Sequence, residues 1–164
     1  MFIAVVGSAT CDDDVAAVGE AVGREIALRG AMLVCGGRGG VMEAACRGAQ
    51  DAGGVTVGIL PGTDRSEANP YLDVPIATGL GEARNAIVVR TADAVIAVSG
   101  GYGTLSEIGL ALKMGRPVVG LRTWELSQGG CPVQAVVEVG TPVEAVEQAL
   151  ALASWESVQG GEDG

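Results

Sequence analysis

The 164-residue chain contains no histidine. That absence excludes histidine acid–base catalysis, serine–histidine triads and most zinc sites. The four cysteines, Cys11, Cys35, Cys46 and Cys131, lie far apart with no CxxC pair. They read as buried thiols in a reducing cytosol, not as a disulfide framework or a metal site. No apolar run approaches the roughly 18 residues of a membrane span. The opening MFIAVVG has neither a basic flank nor a cleavage site, so it reads as a first strand and not a signal peptide. Basic residues are scarce: 10 Lys and Arg against 20 Asp and Glu give a formal net charge of −10. That balance argues against a nucleic-acid surface. The expectation is a cytoplasmic protein with neither nucleic-acid nor membrane partners.

What is present is 48% hydrophobic residues and 27 glycines, as strands joined by tight turns require. The organising stretch is residues 94–115, AVIAVSGGYGTLSEIGLALKMG. A β-branched run enters a glycine turn and then becomes a helix with Leu105, Ile108 and Leu112 on one face. Strand, glycine turn and helix start bring backbone N–H groups together on an anion. Gly100, Gly101 and Gly103 allow close backbone approach, with the Thr104 hydroxyl beside them. Glu107 is read in the first turn, facing the same crevice. There it either does chemistry or satisfies the helix dipole.

The same grammar recurs along the chain. Residues 2–6 form an apolar run ending in Gly7-Ser8, which reads as a central strand covered on both faces. Asp12, Asp13 and Asp14 then open a helix reaching about Leu28. An acidic triplet can bind a divalent metal, but capping is its commoner use, and no metal site is predicted. Residues 31–35 are the second strand and run into Gly36-Gly37-Arg38-Gly39-Gly40, before a helix over 41–52. Laid without gaps on GGYGTLSE (100–107), GGRGGVME (36–43) matches at four positions, including the final acid. Two such loops form two walls of one anion cradle, in which Arg38 is either a phosphate ligand or a solvated loop residue.

Strands are further expected over 55–60, 74–78, 117–121 and 134–139. The polar segment 63–73 reads as a surface loop near the site. A helix over 82–91 carries Arg84, Asn85 and Arg90. Residues 122–132 read as irregular, and Thr141-Pro142 opens a last helix to about Ala153. Alternating strands and helices predict a doubly wound, mainly parallel α/β sheet of about six or seven strands, a Rossmann-like three-layer sandwich with the first strand central. One domain spans 1–156, with a flexible tail over 157–164. In such sheets ligands bind at the carboxyl ends of the strands, where both glycine loops lie.

The two loops and the helix motif RNAIVVRTAD (84–93) together resemble the Lonely Guy and lysine-decarboxylase-like (SLOG) superfamily of Rossmann-type nucleotide-binding proteins. That family's signature has a glycine loop after the second strand, an Arg-Lys on a helix and PGGxGTxxE after a later strand. Here the last reads Ser99-Gly100-Gly101-Tyr102-Gly103-Thr104-Leu105-Ser106-Glu107. The resemblance implies a phosphorylated nucleotide-like ligand held by Ser8, Gly36, Gly37, Arg38, Gly39, Asn85, Gly100, Gly101, Tyr102, Gly103 and Thr104. It gives Arg84 and Glu107 catalytic roles in cleaving the N-glycosidic bond of nucleoside 5′-monophosphates, not in lysine decarboxylation. Asn85 and Ser99 stand where the signature has Lys and Pro. In this the chain is similar to a branch that includes a molybdenum-cofactor carrier, for which the same cradle would bind without turnover. No cofactor is required on either reading; the ligand expected is an AMP-like nucleotide or molybdenum cofactor.

Bland readings stand beside these. Arg84 is either a phosphate or ribose ligand or the partner of a surface acid. Tyr102 either stacks on a base or packs the loop, and Trp124 and Trp155 pack locally or at a subunit contact. The resemblance also implies a homo-oligomer, a homodimer or homotetramer. Ile87, Val88, Val89, Ile108, Leu110 and Leu112 suggest more apolar helix surface than one sheet face needs.

Overall fold

The computed structural model describes residues 1–159. Residues 160–164, most of the expected tail, lie outside the described residues, as do the side chains of 155–159 and so that of Trp155. Seven strands form one parallel sheet: β1 (Phe2–Gly7), β2 (Met32–Cys35), β3 (Thr56–Leu60), β4 (Val74–Ala77), β5 (Ala94–Val98), β6 (Val118–Leu121) and, after a short hairpin of β7 (Ser127–Gln128) and β8 (Cys131–Pro132), the edge strand β9 (Val136–Glu138). The sheet order is β4-β3-β2-β1-β5-β6-β9, every neighbouring pair parallel, with β1 in the centre. The doubly wound α/β reading is thus the observed fold.

Among the described residues five α-helices cover the sheet: α1 (Asp13–Leu28), α2 (Val41–Asp51), α3 (Asn85–Thr91), α4 (Tyr102–Lys113) and α5 (Pro142–Gln159). Strand alternation sorts the core between the faces. Ile3 and Val5 of β1 pack with Val22 and Ile26 of α1, Val41 and Ala45 of α2, and Val146 and Ala149 of α5. Ala4 and Val6 point the other way, onto Val88 and Val89 of α3 and Ile108 and Ala111 of α4. Two helices start where the sequence supplies a side-chain cap. Asp12 Oδ1 accepts from Val15 N at 2.8 Å, and Glu144 Oε2 accepts from the backbone of Gly140 and Thr141 at 3.1 Å each.

Several expectations need correction. Val88, Val89 and Ile108 are fully buried under the sheet; of the other three apolar residues read as surplus, Leu110 and Leu112 are half-buried against the same core and Ile87 is 37% exposed. Half of the expected surplus therefore belongs to the core under the sheet. The thiols are not uniformly buried either. Cys35 and Cys46 are, 3.5 Å apart and unbridged, but Cys11 is half-buried and Cys131 is exposed. Cys131 belongs to the antiparallel β7–β8 hairpin, turned by Gly129 and Gly130 inside the segment read as irregular. Helix α5 continues past Ala153 to Gln159, through the start of the expected tail. Among the described residues no helix is long and apolar enough to cross a membrane.

The closest helix contact depends on missing side chains. A Cβ on Gly23 of α1 would strike the Ala45 carbonyl of α2, lying 2.6 Å from its carbon, and one on Gly48 would meet the Glu20 carbonyl carbon at 2.8 Å. This contact seats α2 against α1, and α2 begins at the site. Gly23→Val is therefore expected to lower stability by about 1–3 kcal/mol through overpacking. Gly109 in α4 is exposed, and a Cβ added there would meet nothing within 4 Å, so Gly109→Ala should instead stabilise by about 0.5–1 kcal/mol. Urea unfolding of both variants, giving shifts of opposite sign, checks the assignment.

Candidate functional site

The chain winds from β1 outward to β4, then returns to place β5 on the other side of β1. The switch point therefore lies between the carboxyl ends of β1 and β5, with the end of β2 alongside. A cleft of about 220 Å³ opens there, lined by Gly7, Ser8, Ala9, Arg38, Met42, Glu82, Arg84, Asn85, Gly101, Gly103, Thr104 and Glu107. Three turns are joined to make it. Val41 N, at the start of α2, donates to the Ser8 carbonyl at 3.0 Å, which ties the β1 turn to the first glycine loop. Asn69, from the 63–73 loop, donates its backbone N–H to the Gly37 carbonyl at 3.0 Å and its side-chain amide to the Arg38 carbonyl at 3.1 Å. That loop is thus a buttress of the site, as its place in the sequence suggests.

The centre of the cleft is a buried pair. Arg84, ending a 3₁₀ turn (Gly81–Arg84) that leads into α3, places Nη1 3.6 Å from Glu107 Oε1. Both residues are more than nine-tenths buried. The guanidinium rests on the backbone of Gly36: a Cβ there would lie 2.7 Å from Nη2 and closer still to Nη1. Gly36 is therefore glycine to leave room for Arg84, not to touch a ligand. Burial pushes the Glu107 carboxyl up to about 7; Glu82 at the rim adds to the rise, while Arg84 opposes it. A group half-ionised at neutral pH can accept or give a proton there. Glu107 lies in the second turn of α4, not the first, and the first turn holds no acid. A surface acid satisfying the dipole is thus not what the position provides. Nor is Arg84 a solvent-facing helix arginine.

The second glycine loop has an unusual backbone. Ser99 has φ 51°, in the left-handed region, and donates its N–H to the Leu121 carbonyl at 3.0 Å. Proline, fixed near −65° and lacking an N–H, is incompatible with both features. The serine at the signature's proline position thus follows from the path of this loop. Gly100, φ 110°, lies against the Thr104 side chain, whereas no atom lies within 4 Å of a Cβ placed on Gly101 or Gly103. Those two residues leave their backbone open to the cleft at the start of α4, where orphan N–H groups favour an anion.

Of the expected site residues, Ser8, Arg38, Arg84, Asn85, Gly101, Gly103, Thr104 and Glu107 line the cleft. Gly36, Gly37, Gly39 and Gly100 shape it from behind: Gly37 packs under Leu60 and Leu72, and Gly39 sits by the Ala9 carbonyl. Tyr102 is 84% exposed and turned toward Trp124. Sequence reasoning misses Gly7, Ala9, Met42 and Glu82; a signal exists for Gly7 and Ala9, since they flank Ser8 where the central strand ends. Among the described residues no cluster of three or more metal-ligating side chains occurs, and the acidic triplet serves α1 as its cap and first turn.

This geometry meets known proteins at several points. A protein of Archaeoglobus fulgidus described only as uncharacterized is 43% identical over 150 residues, covering 92% of this chain and 95% of that protein. The molybdenum cofactor binding protein of Rippkaea orientalis superposes with a TM-score of 0.78 at 34% identity, over 92% of this chain and 94% of that one. The cytokinin riboside 5′-monophosphate phosphoribohydrolase LOG of rice (Oryza sativa subsp. japonica) is 36% identical over 91 residues, 53% of this chain but 37% of that enzyme. The family model described as SLOG cluster4 (LDcluster4) matches residues 1–150, a span that holds both glycine loops, the Arg84 helix and Glu107. The chain belongs to the SLOG cluster4 family.

Proposed function

We propose that the cleft binds a phosphorylated, nucleotide-like ligand and that Glu107 acts on its N-glycosidic bond, releasing base and ribose 5-phosphate from a nucleoside 5′-monophosphate. The observation that carries this reading is the buried Glu107 carboxyl held 3.6 Å from Arg84 in the wall of a cleft that also presents Gly101 and Gly103. In that reading the phosphate sits on the open backbone of the second loop, with Arg38 and Arg84 supplying charge-assisted donors. Water adds at the anomeric carbon as the carbon–nitrogen bond breaks, and the base leaves with a proton. The transition state is oxocarbenium-like, so a carboxylate beside the ribose stabilises it or takes the proton of the attacking water. The similarity to the rice phosphoribohydrolase over 91 residues supports this chemistry.

A second reading is favoured by Asn85. Where the signature's lysine would add a cation, this chain has a buried carboxamide whose Nδ2 reaches Ser106 Oγ at 3.5 Å. With one positive charge fewer, the cleft is suited to holding a phosphorylated heterocycle without turnover. Molybdenum cofactor is then cargo, in line with the likeness to the Rippkaea orientalis protein.

The two readings part at Glu107→Gln. For a hydrolase, base release from AMP falls about 10²–10⁴-fold while AMP still binds by calorimetry. For a carrier, the unaltered protein releases no base, and Glu107→Gln leaves binding intact. Loss of binding and turnover together would contradict both.

The raised Glu107 group gives a further expectation with a defined sign. Above about pH 7 the carboxylate is charged and repels a bound dianion; below it the carboxyl is neutral. Sulfate, which stays doubly charged throughout, should bind several-fold more tightly at pH 6 than at pH 8, on the order of 5- to 10-fold. In Glu107→Gln the profile should be flat. Calorimetric titration across that range reads both.

A further inference from the structure

We infer that the ligand's planar ring docks outside the cleft, on a shelf made by Tyr102, Trp124 and Arg122 at the carboxyl ends of β5 and β6. The inference rests on the reading that the cleft itself takes the phosphate. At about 220 Å³ the cleft is smaller than the roughly 300–1,000 Å³ usual for sites that enclose a whole small molecule. On that reading the cleft takes the phosphate and sugar, and the purine or pterin ring lies outside it, beyond the second glycine loop.

What lies beyond that loop is built for a ring. Tyr102 follows Gly101 directly and is 84% exposed, although aromatic residues are few in this chain. Its ring centroid stands 5.8 Å from that of Trp124, tilted by 33°. The Trp124 indole N–H donates to the Gly101 carbonyl at 3.2 Å, which fixes the aromatic pair to the loop that presents the anion site. A second hollow of about 290 Å³ opens on this side, lined by Gly100, Arg122, Thr123, Trp124 and Glu125. Gly100 belongs to the glycine loop, so the two spaces share a wall.

Backbone strain marks the same place. Ser99 at φ 51° and Arg122 at φ 50° are the positive-φ non-glycine residues of the described chain, and each directly follows one member of the paired residues Val98 and Leu121. They are held by Ser99 N donating to the Leu121 carbonyl and Thr123 Oγ1 donating to the Ser99 carbonyl at 2.7 Å. Residues held in this region cluster at ligand sites. Glycine would adopt the Arg122 turn more cheaply but would bring no side chain. The guanidinium forms no ion pair among the described residues, so its donors are free for acceptor atoms on a ring edge. The ligand class is therefore a phosphorylated planar heterocycle with edge acceptors. A purine nucleotide and a phosphorylated pterin both qualify.

The test compares ring-bearing and ringless probes on the full chain by calorimetry: AMP, 6-hydroxymethylpterin phosphate and ribose 5-phosphate. The unaltered protein should bind at least one ring-bearing probe about 10-fold or more tightly than ribose 5-phosphate, the scale of ring–aromatic stacking; which one it prefers names the source. Tyr102→Leu should remove most of that advantage and leave ribose 5-phosphate binding unchanged. Arg122→Gly should raise the thermal midpoint by relieving the strained turn while weakening the ring-bearing probe alone. Equal losses for all probes would mean a general loop effect and overturn the shelf. So would variants that bind the ring-bearing probes as tightly as the unaltered protein. If none of the three probes binds the unaltered protein at millimolar concentration, the reading of the cleft itself falls, an outcome distinct from a missing shelf.

Discussion

The contact on which the site depends is Arg84 against Glu107, a guanidinium and a carboxyl taken out of water 3.6 Å apart. Burying two such groups is costly unless each is held and partly compensated. Here the compensation is geometric. Gly36 lacks the Cβ that would displace the guanidinium, and the carboxyl projects from the second turn of α4 toward it. The pair is not tight: at 3.6 Å burial outweighs attraction, so the acid is pushed up to about 7 and is not locked as a carboxylate. An anion entering the cleft meets a fixed positive charge and an acid that can become neutral.

The fold delivers these groups to one place because of where the winding reverses. The turns after β1, β2 and β5 are neighbours only because β1 is central, with β2 and β5 on its two sides. Helix α2 must then start close to the β1 turn: Gly40, at φ 65°, lies against the Ser8 and Ala9 backbone with no room for a Cβ, while Gly23 and Gly48 let α1 and α2 approach backbone to backbone. The Val41 N–H to Ser8 carbonyl bond at 3.0 Å closes that junction. Glycine packing at the β1 turn and along α1 and α2 thus backs the wall of the cleft.

Much of this is legible in the chain. The apolar runs mark the strands, the glycine loops mark their carboxyl ends, and the echo of GGRGGVME in GGYGTLSE identifies two loops that do flank one cleft. The RN motif and Glu107 are expected to act together, and Arg84 and Glu107 meet. Other features are not legible, for definite reasons. A glycine that contacts a ligand and one that seats an arginine look alike in sequence, so Gly36 reads as a ligand residue. Helix starts are uncertain by a residue or two, which puts Glu107 into the wrong turn. Apolar residues on α3 and α4 count as surplus because the depth of the core cannot be read from helical spacing: Val88, Val89 and Ile108 prove fully buried. Two-residue strands joined by a pair of glycines, as in the β7–β8 hairpin, carry too little pattern to stand out.

The central claim is that the Glu107 carboxyl is buried at the anion site with its acidity weakened by that burial. The most direct measurement is a carbon-13 NMR titration of the glutamate side-chain carboxyls, with the Glu107 resonance assigned by its loss in Glu107→Gln. A midpoint near 7 is expected for Glu107, moving upward when sulfate is bound. A midpoint in the ordinary glutamate range of about 4.3, unmoved by the anion, would contradict it.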